Sequence, residues 1–350
     1  MVSTVIVSAA TVLDSLANVQ RHVEGNLSGG VDHVVLILDD HLPEVEEWLV
    51  TQPQVSYAVA DEVWWRGVER PTGLNTRQVL NVNVVKALLT TVMDVEWLFH
   101  IDADEILRID RAVLAALPES RRTVSARVYE SVHEPGLVGD PALFKRPVTP
   151  AELVRLAEAG VIAEPSYEAY LRGHSVGKGG NRPSLDYSQW LHWAEHRDRP
   201  RVPVEELYYP DGLMLLHLES PTPEDFVRRW EAMAAAGDVS YVHPRRVVLM
   251  EEMRSMLAAE VPVAERRRRL LELSATMDDD IAGLRDLGFL VELDPRHGGQ
   301  TPHPDSAELG EFLRAVFDVV TPVEKWLFDV HAPRELTART VTEVVTKAIG

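Results

Sequence analysis

The first hundred residues switch between two hydrophobic periods. Residues 2–9 are apolar and β-branched with no polar face, the pattern of a strand buried on both sides, and from Thr11 to about Gly25 the spacing becomes helical. Gly29 and Gly30 interrupt the chain before 32–40, a second apolar run that ends in Asp39 and Asp40. Strand, helix, strand is the opening of a parallel sheet. A helix is expected over 43–50, a third strand over 55–60, a helix over 79–92 and a fourth strand over 95–101. That fourth strand, with Trp97, Leu98, Phe99 and Ile101, is apolar on both faces and therefore central, and three carboxylates close it: Asp102, Asp104 and Glu105.

Further along, an alternating strand over 122–130 ends at Glu130 and is expected beside the fourth strand. Residues 134–147 are rich in Gly and Pro and read as a long loop over the site. Thr149-Pro150-Ala151-Glu152 is a capping box with Pro at the first helical position. A short apolar strand over 213–216 stops at His217, and Thr222-Pro223 starts a helix containing Phe226 and Trp230. Beyond about Tyr241 the periodicity is helical, over 246–260, 264–275 and 306–320. The expected organisation is an α/β domain over 1–240, divided into halves 1–108 and 109–240, with a helical C-terminal appendage over 241–350.

Composition narrows the partners. With 55 acidic against 35 basic residues the net charge is −20, which repels nucleic acid and anionic membrane surfaces, so a polyphosphate ligand requires a local metal ion or basic cluster. There are no cysteines, which excludes disulfides, zinc thiolate sites and cysteine nucleophiles. No apolar run has the length of a transmembrane segment, and no signal-peptide pattern is present, so a soluble cytoplasmic protein is the expectation.

In an extended segment Asp102 and Asp104 project to the same side with Ala103 between them, and converging carboxylates suit hard divalent ions such as Mn²⁺ or Mg²⁺. Ligands of open α/β sheets bind outside the carboxyl ends of such strands. Trp64 and Trp65 would stack on a base or sugar ring or simply pack; Arg66, Arg70 or Arg77 would hold a phosphate bidentately. Gly173 to Arg182 is not a phosphate loop, because the spacing is Gly-x₃-Gly-Lys and Gly179 stands where Ser or Thr is required. Residues 189–196 combine aromatics suited to a sugar face with acids and imidazoles. The basic run 265–269 and the acidic run 278–280 read as solvated helix faces and ends.

WLFHIDADEIL, preceded by NVNVVKALLTTVMDV, resembles the Asp-x-Asp (DXD) region of GT-A-fold glycosyltransferases, and in particular the bacterial family-2-like group related to glycosyltransferase family 92. GHSVGKGGNRP (173–183) is similar to that group's Gly-Lys…Arg-Pro segment, and LLHLESPTPEDFVRRW (215–230) to its His-(Tyr or Phe)…Ser-x-Glu-x-Phe…Lys segment. Leu218 departs from the usual aromatic, and Arg228 or Arg229 from the usual Lys. The resemblance, spanning roughly 3–235, implies a GT-A, Rossmann-like, mixed and mainly parallel sheet flanked by helices. It makes 1–108 the nucleotide-sugar-binding half, with Asp39 or Asp40 near base or ribose, helix capping being the other role open to them. It makes 109–240 the acceptor half, with Lys178 and Arg182 facing a diphosphate unless they are solvated charges on a hairpin turn. His217 corresponds to the third metal ligand, if it is not structural. The related families mostly invert, which requires a general base, for which Glu130, Asp186 and Glu195 are the candidates.

The expected activity is metal-dependent transfer of a sugar from a nucleotide-diphosphate sugar donor to a small-molecule or glycan acceptor. A nucleotidyltransferase, or a nucleotide- or carbohydrate-binding module without turnover, are the alternatives.

Overall fold

A computed structural model describes residues 5–92, 95–196, 199–236, 244–275, 279–304, 306–329 and 331–350. The first residues of the run 2–9, and Asp278, lie outside the described residues.

Four strands, β1 (Val5–Val12), β2 (His33–Leu38), β3 (Val55–Val59) and β4 (Val95–His100), form a parallel array in the order β3-β2-β1-β4. The rest of the large sheet comprises β5 (Glu105–Ile109), β6 (Thr123–Ser131), β7 (Leu143–Lys145) and β8 (Lys178–Asn181), joined later by β12 (Leu213–His217) and β13 (Leu290–Glu292). A small separate sheet holds β9 (Ser188–Gln189), β10 (Ala194–His196) and β11 (Arg199–Pro203). Within the large sheet only β5, β7 and β8 run against the common direction. The parallel strands are those expected from the alternation of periods, the mixed, mainly parallel, Rossmann-like α/β architecture is the one the resemblance implies, and the C-terminal region is helical as expected.

Strand alternation splits the core into two layers. Val5, Val7, Ala9, Val35 and Ile37 face one side, against Val84, Val85 and Leu88 of the helix Leu74–Leu89 and against Leu313, Val316, Phe317, Val341 and Val344 of the helices Ser306–Val320 and Arg334–Ile349. Ile6, Val34, Leu36 and Leu38 face the other, against Val19 and Val23 of the helix Leu16–Ser28. Each such side chain taken wholly from water contributes about 1.5–3 kcal/mol, which is why these stretches tolerate no polar face. The C-terminal region thus supplies a layer of the sheet's core, and also the edge strand β13.

Three local expectations are corrected. Thr11 and Val12 continue β1, paired with Ile37 and Leu38, and the helix begins only at Leu16, where the Ser15 hydroxyl accepts from the Asn18 backbone N–H at 3.4 Å. Strand β6 does not lie directly beside β4: β8 is inserted antiparallel between them. That segment reads as a turn because it is Lys-Gly-Gly-Asn, yet it is buried, and glycine is what permits it. A Cβ on Gly180 would stand 2.4 Å from Phe99 Cε1, and one on Gly179 2.8 Å from the His192 carbonyl oxygen. Finally, the acidic run is not wholly solvated. Asp280 caps the helix Ile281–Asp286, but Asp279 reaches inward to Lys145 at 3.0 Å and Arg172 at 2.6 Å.

Candidate functional site

Strand register builds the site. His217, the last residue of β12, pairs with Glu105 at the start of β5 on one side and with Glu130 on β6 on the other. Paired residues of adjacent strands project from the same face, so the imidazole is set between two carboxylates. Glu219, two residues further on, returns to that side, and its Oε2 lies 3.4 Å from His217 Nε2. All four side chains are nearly or fully buried.

Between β4 and β5 the chain does not continue extended but turns, with the Glu105 N–H donating to the Asp102 carbonyl at 3.1 Å and the Asp102 N–H donating to Glu105 Oε2 at 2.7 Å. The turn separates the two aspartates, which therefore do not share one ligand point as simple alternation predicts. Asp102 accepts from Gln78 Nε2 and from Lys178 Nζ, each at 2.8 Å. Asp104 turns the other way, to Arg229 Nη1 at 2.6 Å, with His217 Nε2 at 3.7 Å.

Among the described residues, two groups bring ligand atoms within 4.8 Å of one another: Asp104 with His217 and Glu219, and Glu105 with His174 and His217. Either could hold a metal ion; Asp102 belongs to neither. Ligand atoms at right angles around an ion about 2.1 Å away lie about 3.0 Å apart. The 3.4 and 3.7 Å separations around His217 would have to contract by about 0.4 and 0.7 Å. The second group is already closed by a hydrogen bond, His174 Nε2 to Glu105 Oε1 at 2.8 Å, and the His174 ring stacks on that of His217 with centroids 5.0 Å apart.

The electrostatics follow from this crowding. Burial alone would neutralise Asp104, but the Arg229 guanidinium and His217 outweigh it and hold the carboxyl well below its usual range. Burial likewise opposes charge on His217, yet Asp104, Glu219 and Glu105 raise its pKa to about 9. Glu105 behaves oppositely, pushed up by burial against the pull of Lys178. His174 and His192 are driven down by burial and kept neutral by neighbouring cations, His192 to about 3.

The remaining expected residues are placed as follows. Lys178 is in the site, fully buried, beside Asp102. Arg182 is not: β8 runs antiparallel to β4, so four residues later Arg182 has reached the opposite end of that strand, where it pairs with Glu96 and lies over Trp97 at 4.6 Å. Arg77 grips Asp39 with Nε and Nη2 at 2.9 and 2.8 Å, and Arg70 reaches the same carboxylate at 3.2 Å. Arg77 and Asp39 thus satisfy each other, and Asp40 is exposed, with its side chain on the His41 N–H. Trp64 and Trp65 pack in the core, Trp64 donating its indole N–H to Asn81.

None of the three proposed bases has the geometry for that role. Glu130 is wholly buried with both oxygens committed, to the Arg172 and Gly173 N–H groups at 2.7 and 2.6 Å and to Lys145 at 3.0 Å. Burial raises its pKa, but Lys145, Arg172 and His217 overcome this, and the net shift is downward. Asp186 is on the surface, paired with Arg334 at 2.5 Å, and Glu195 is buried in the small sheet, accepting from the Trp193 indole at 3.1 Å. Glu130 instead positions the 172–173 backbone against His217: a Cβ on Gly173 would stand 2.2 Å from His217 Cε1.

Sequence reasoning did not single out Glu105, His174, Gln78 or Glu219 as site residues. The signal for Glu219 and Glu105 was their spacing, two residues past His217 and one past Asp104.

No family model matches the chain, and no curated protein does. Among solved structures, HddC from Yersinia pseudotuberculosis is similar over 66% of this chain and 99% of its own at 9% identity and a TM-score of 0.32. A mycobacterial protein is similar over 66% of this chain and 72% of its own at 12% identity and a TM-score of 0.30. At scores this low neither likeness carries an argument. No helix among the described residues is long and apolar enough to cross a membrane.

Proposed function

We propose that this chain is a metal-dependent glycosyltransferase, moving a sugar from a nucleotide-diphosphate donor to an acceptor hydroxyl. The observation that carries the reading is the gathering of Asp104, His217 and Glu219 outside the carboxyl ends of β4 and β12, the end of an open α/β sheet where ligands bind. It is supported by the meeting, in one place, of the three separated stretches that resemble the family: Asp102 and Asp104 from the first, Lys178 from the second, His217 and Arg229 from the third.

Two carboxylates and an imidazole fit a divalent ion, and the imidazole favours Mn²⁺ over Mg²⁺. Bound there, the ion would stabilise the charge that grows on the departing phosphate. The chain's own contribution is orientation. Gln78 and Lys178 fix Asp102, Glu130 and Gly173 fix His217, and buried Lys178 keeps a positive charge beside the rim carboxylates.

The test is thermal stability with nucleoside diphosphates in the presence and absence of Mn²⁺, since a ligand that binds only the folded state raises its melting temperature. An Mn²⁺-dependent rise is expected in the wild type and its loss in Asp104→Ala and His217→Ala. If the folded variants keep the full rise, the metal assignment is wrong. Product analysis separates glycosyl from nucleotidyl transfer: the first releases nucleoside diphosphate, the second pyrophosphate.

A further inference from the structure

The helix Pro223–Ala236 presents two adjacent arginines in different directions. Arg228 points to Asp14 at 2.8 Å and to Asp225 at 3.1 Å. Arg229 points into the site, where Nη1 meets Asp104 Oδ2 at 2.6 Å and Nη2 meets Glu219 Oε2 at 3.0 Å. These two oxygens are the same ones that lie 3.7 and 3.4 Å from His217 Nε2. One guanidinium therefore spans both carboxylates of the ligand set, and an ion that takes both oxygens would bring its two positive charges directly against that cation.

Charge and mobility indicate what happens next. Asp104 and Glu219 now share the positive charge of the guanidinium; a divalent ion that takes both oxygens neutralises both carboxylates, and the guanidinium loses the two partners it holds. The helix itself is fixed, because Phe226, Val227 and Trp230 are buried among Leu249, Met250, Met253 and Leu270. The Arg229 side chain is 29% exposed, so the guanidinium can swing outward while its backbone stays.

We propose that Arg229 is a displaceable counter-cation: it holds Asp104 and Glu219 together in the metal-free protein, yields them to the divalent ion, and then binds the phosphate oxygens of the ligand that the ion brings. This rests on the metal reading above and adds a second, guanidinium contact to the phosphate class. Its planar fork suits two phosphate oxygens in the way it now suits two carboxylate oxygens.

The experiment uses the full chain and two probes, Mn²⁺ alone, followed by electron paramagnetic resonance of the free ion, and inorganic pyrophosphate at saturating Mn²⁺, followed by calorimetry. Arg229→Gln is expected to bind Mn²⁺ roughly tenfold more tightly than the wild type and Mn²⁺-dependent pyrophosphate roughly tenfold more weakly, the scale of a charge-assisted hydrogen bond. Arg228→Gln removes the same charge one residue away and is expected to change neither by more than about twofold. Arg229→Lys keeps the charge but cannot span both oxygens, so tighter Mn²⁺ binding than the wild type is expected there too; this variant also carries the test if the Gln variant fails to fold. Equal Mn²⁺ affinity in Arg229→Lys and wild type, or Arg229→Gln behaving like Arg228→Gln with either probe, overturns the proposal and leaves the metal site standing. Absence of Mn²⁺ binding in wild type and Arg229→Gln alike overturns both.

Discussion

Asp279 allows a sharp energetic prediction. Its Oδ1 lies 3.0 Å from Lys145 Nζ, its Oδ2 lies 2.6 Å from Arg172 Nη1, and Oδ2 also accepts the His133 N–H at 2.8 Å. Breaking a buried ion pair from one side costs about 3–5 kcal/mol, because the partner charge stays behind. In Asp279→Asn the loss is smaller: the amide oxygen still accepts, Lys145 keeps Glu130 at 3.0 Å, and Arg172 keeps the Ser131 carbonyl at 2.8 Å. A cost of about 2–3 kcal/mol follows. With an unfolding entropy of about 2.1 cal/mol/K per residue, a chain of 350 residues changes by about 0.7 kcal/mol per degree, so the melting temperature should fall by about 3–4 °C at pH 7. The pH dependence has a defined sign. Burial would raise the Asp279 pKa, but Lys145 and Arg172 hold it below its ordinary value, so its stabilisation is present above about pH 4 and is lost as pH falls toward the depressed value. The gap between wild type and variant should therefore narrow below about pH 4 in a series of thermal melts. A variant melting within about 1 °C of the wild type at pH 7 would refute the claim that this acid balances the buried cations.

Gly173→Ala should drive a methyl group into the His217 ring, costing about 1–3 kcal/mol in overpacking and abolishing the Mn²⁺-dependent thermal shift; an Ala variant with normal metal response would show that the imidazole can move aside. Because the His217 pKa is raised to about 9, a metal must displace its proton, so apparent Mn²⁺ affinity should climb about tenfold per pH unit between 7 and 9 and level off above. In the metal-free protein the same shift gives stability that is full below about pH 6.5 and disappears as pH rises through about 9; a flat Mn²⁺ titration series across that window would contradict both statements. Arg182→Ala should leave Mn²⁺-dependent nucleoside diphosphate binding unchanged, since its guanidinium lies over Trp97 beside Glu96 at the far end of β4, and a loss of binding in a folded variant would contradict that placement.

The parallel half of the sheet was legible because its strands are apolar on both faces and its helices keep their period; the capping box at Thr149 and the strand ending at His217 were read with the right boundaries. Strand β8 was not legible, because its signature is the absence of side chains, required by Phe99 on one side and the His192–Trp193 backbone on the other. The candidate site was half legible. Asp104, Lys178 and His217 announce themselves by position, but their partners depend on register: Glu105 and Glu130 meet His217 only because β5 and β6 flank β12. Glu130 was misread as a base for a related reason. A strand-end acid beneath a loop looks desolvated from the sequence, whereas the Lys145 and Arg172 that hold it ionised come from separate segments.

The layer of core that joins Val35, Ile37 and Ala58 to Leu313, Val316 and Phe317 constrains how the molecule is made. The helix Leu74–Leu89 covers β1 on that face early, but the part over β2 and β3 cannot be covered until the helix Ser306–Val320 has been added. At about 5–20 residues per second, the roughly 260 residues between Val59 and Val320 leave that part bare for roughly 13–52 s, far longer than the microseconds in which a helix or hairpin forms. The nascent sheet must spend that interval with an uncovered apolar surface over β2 and β3, and docking of the helix Ser306–Val320 is the event that ends its exposure.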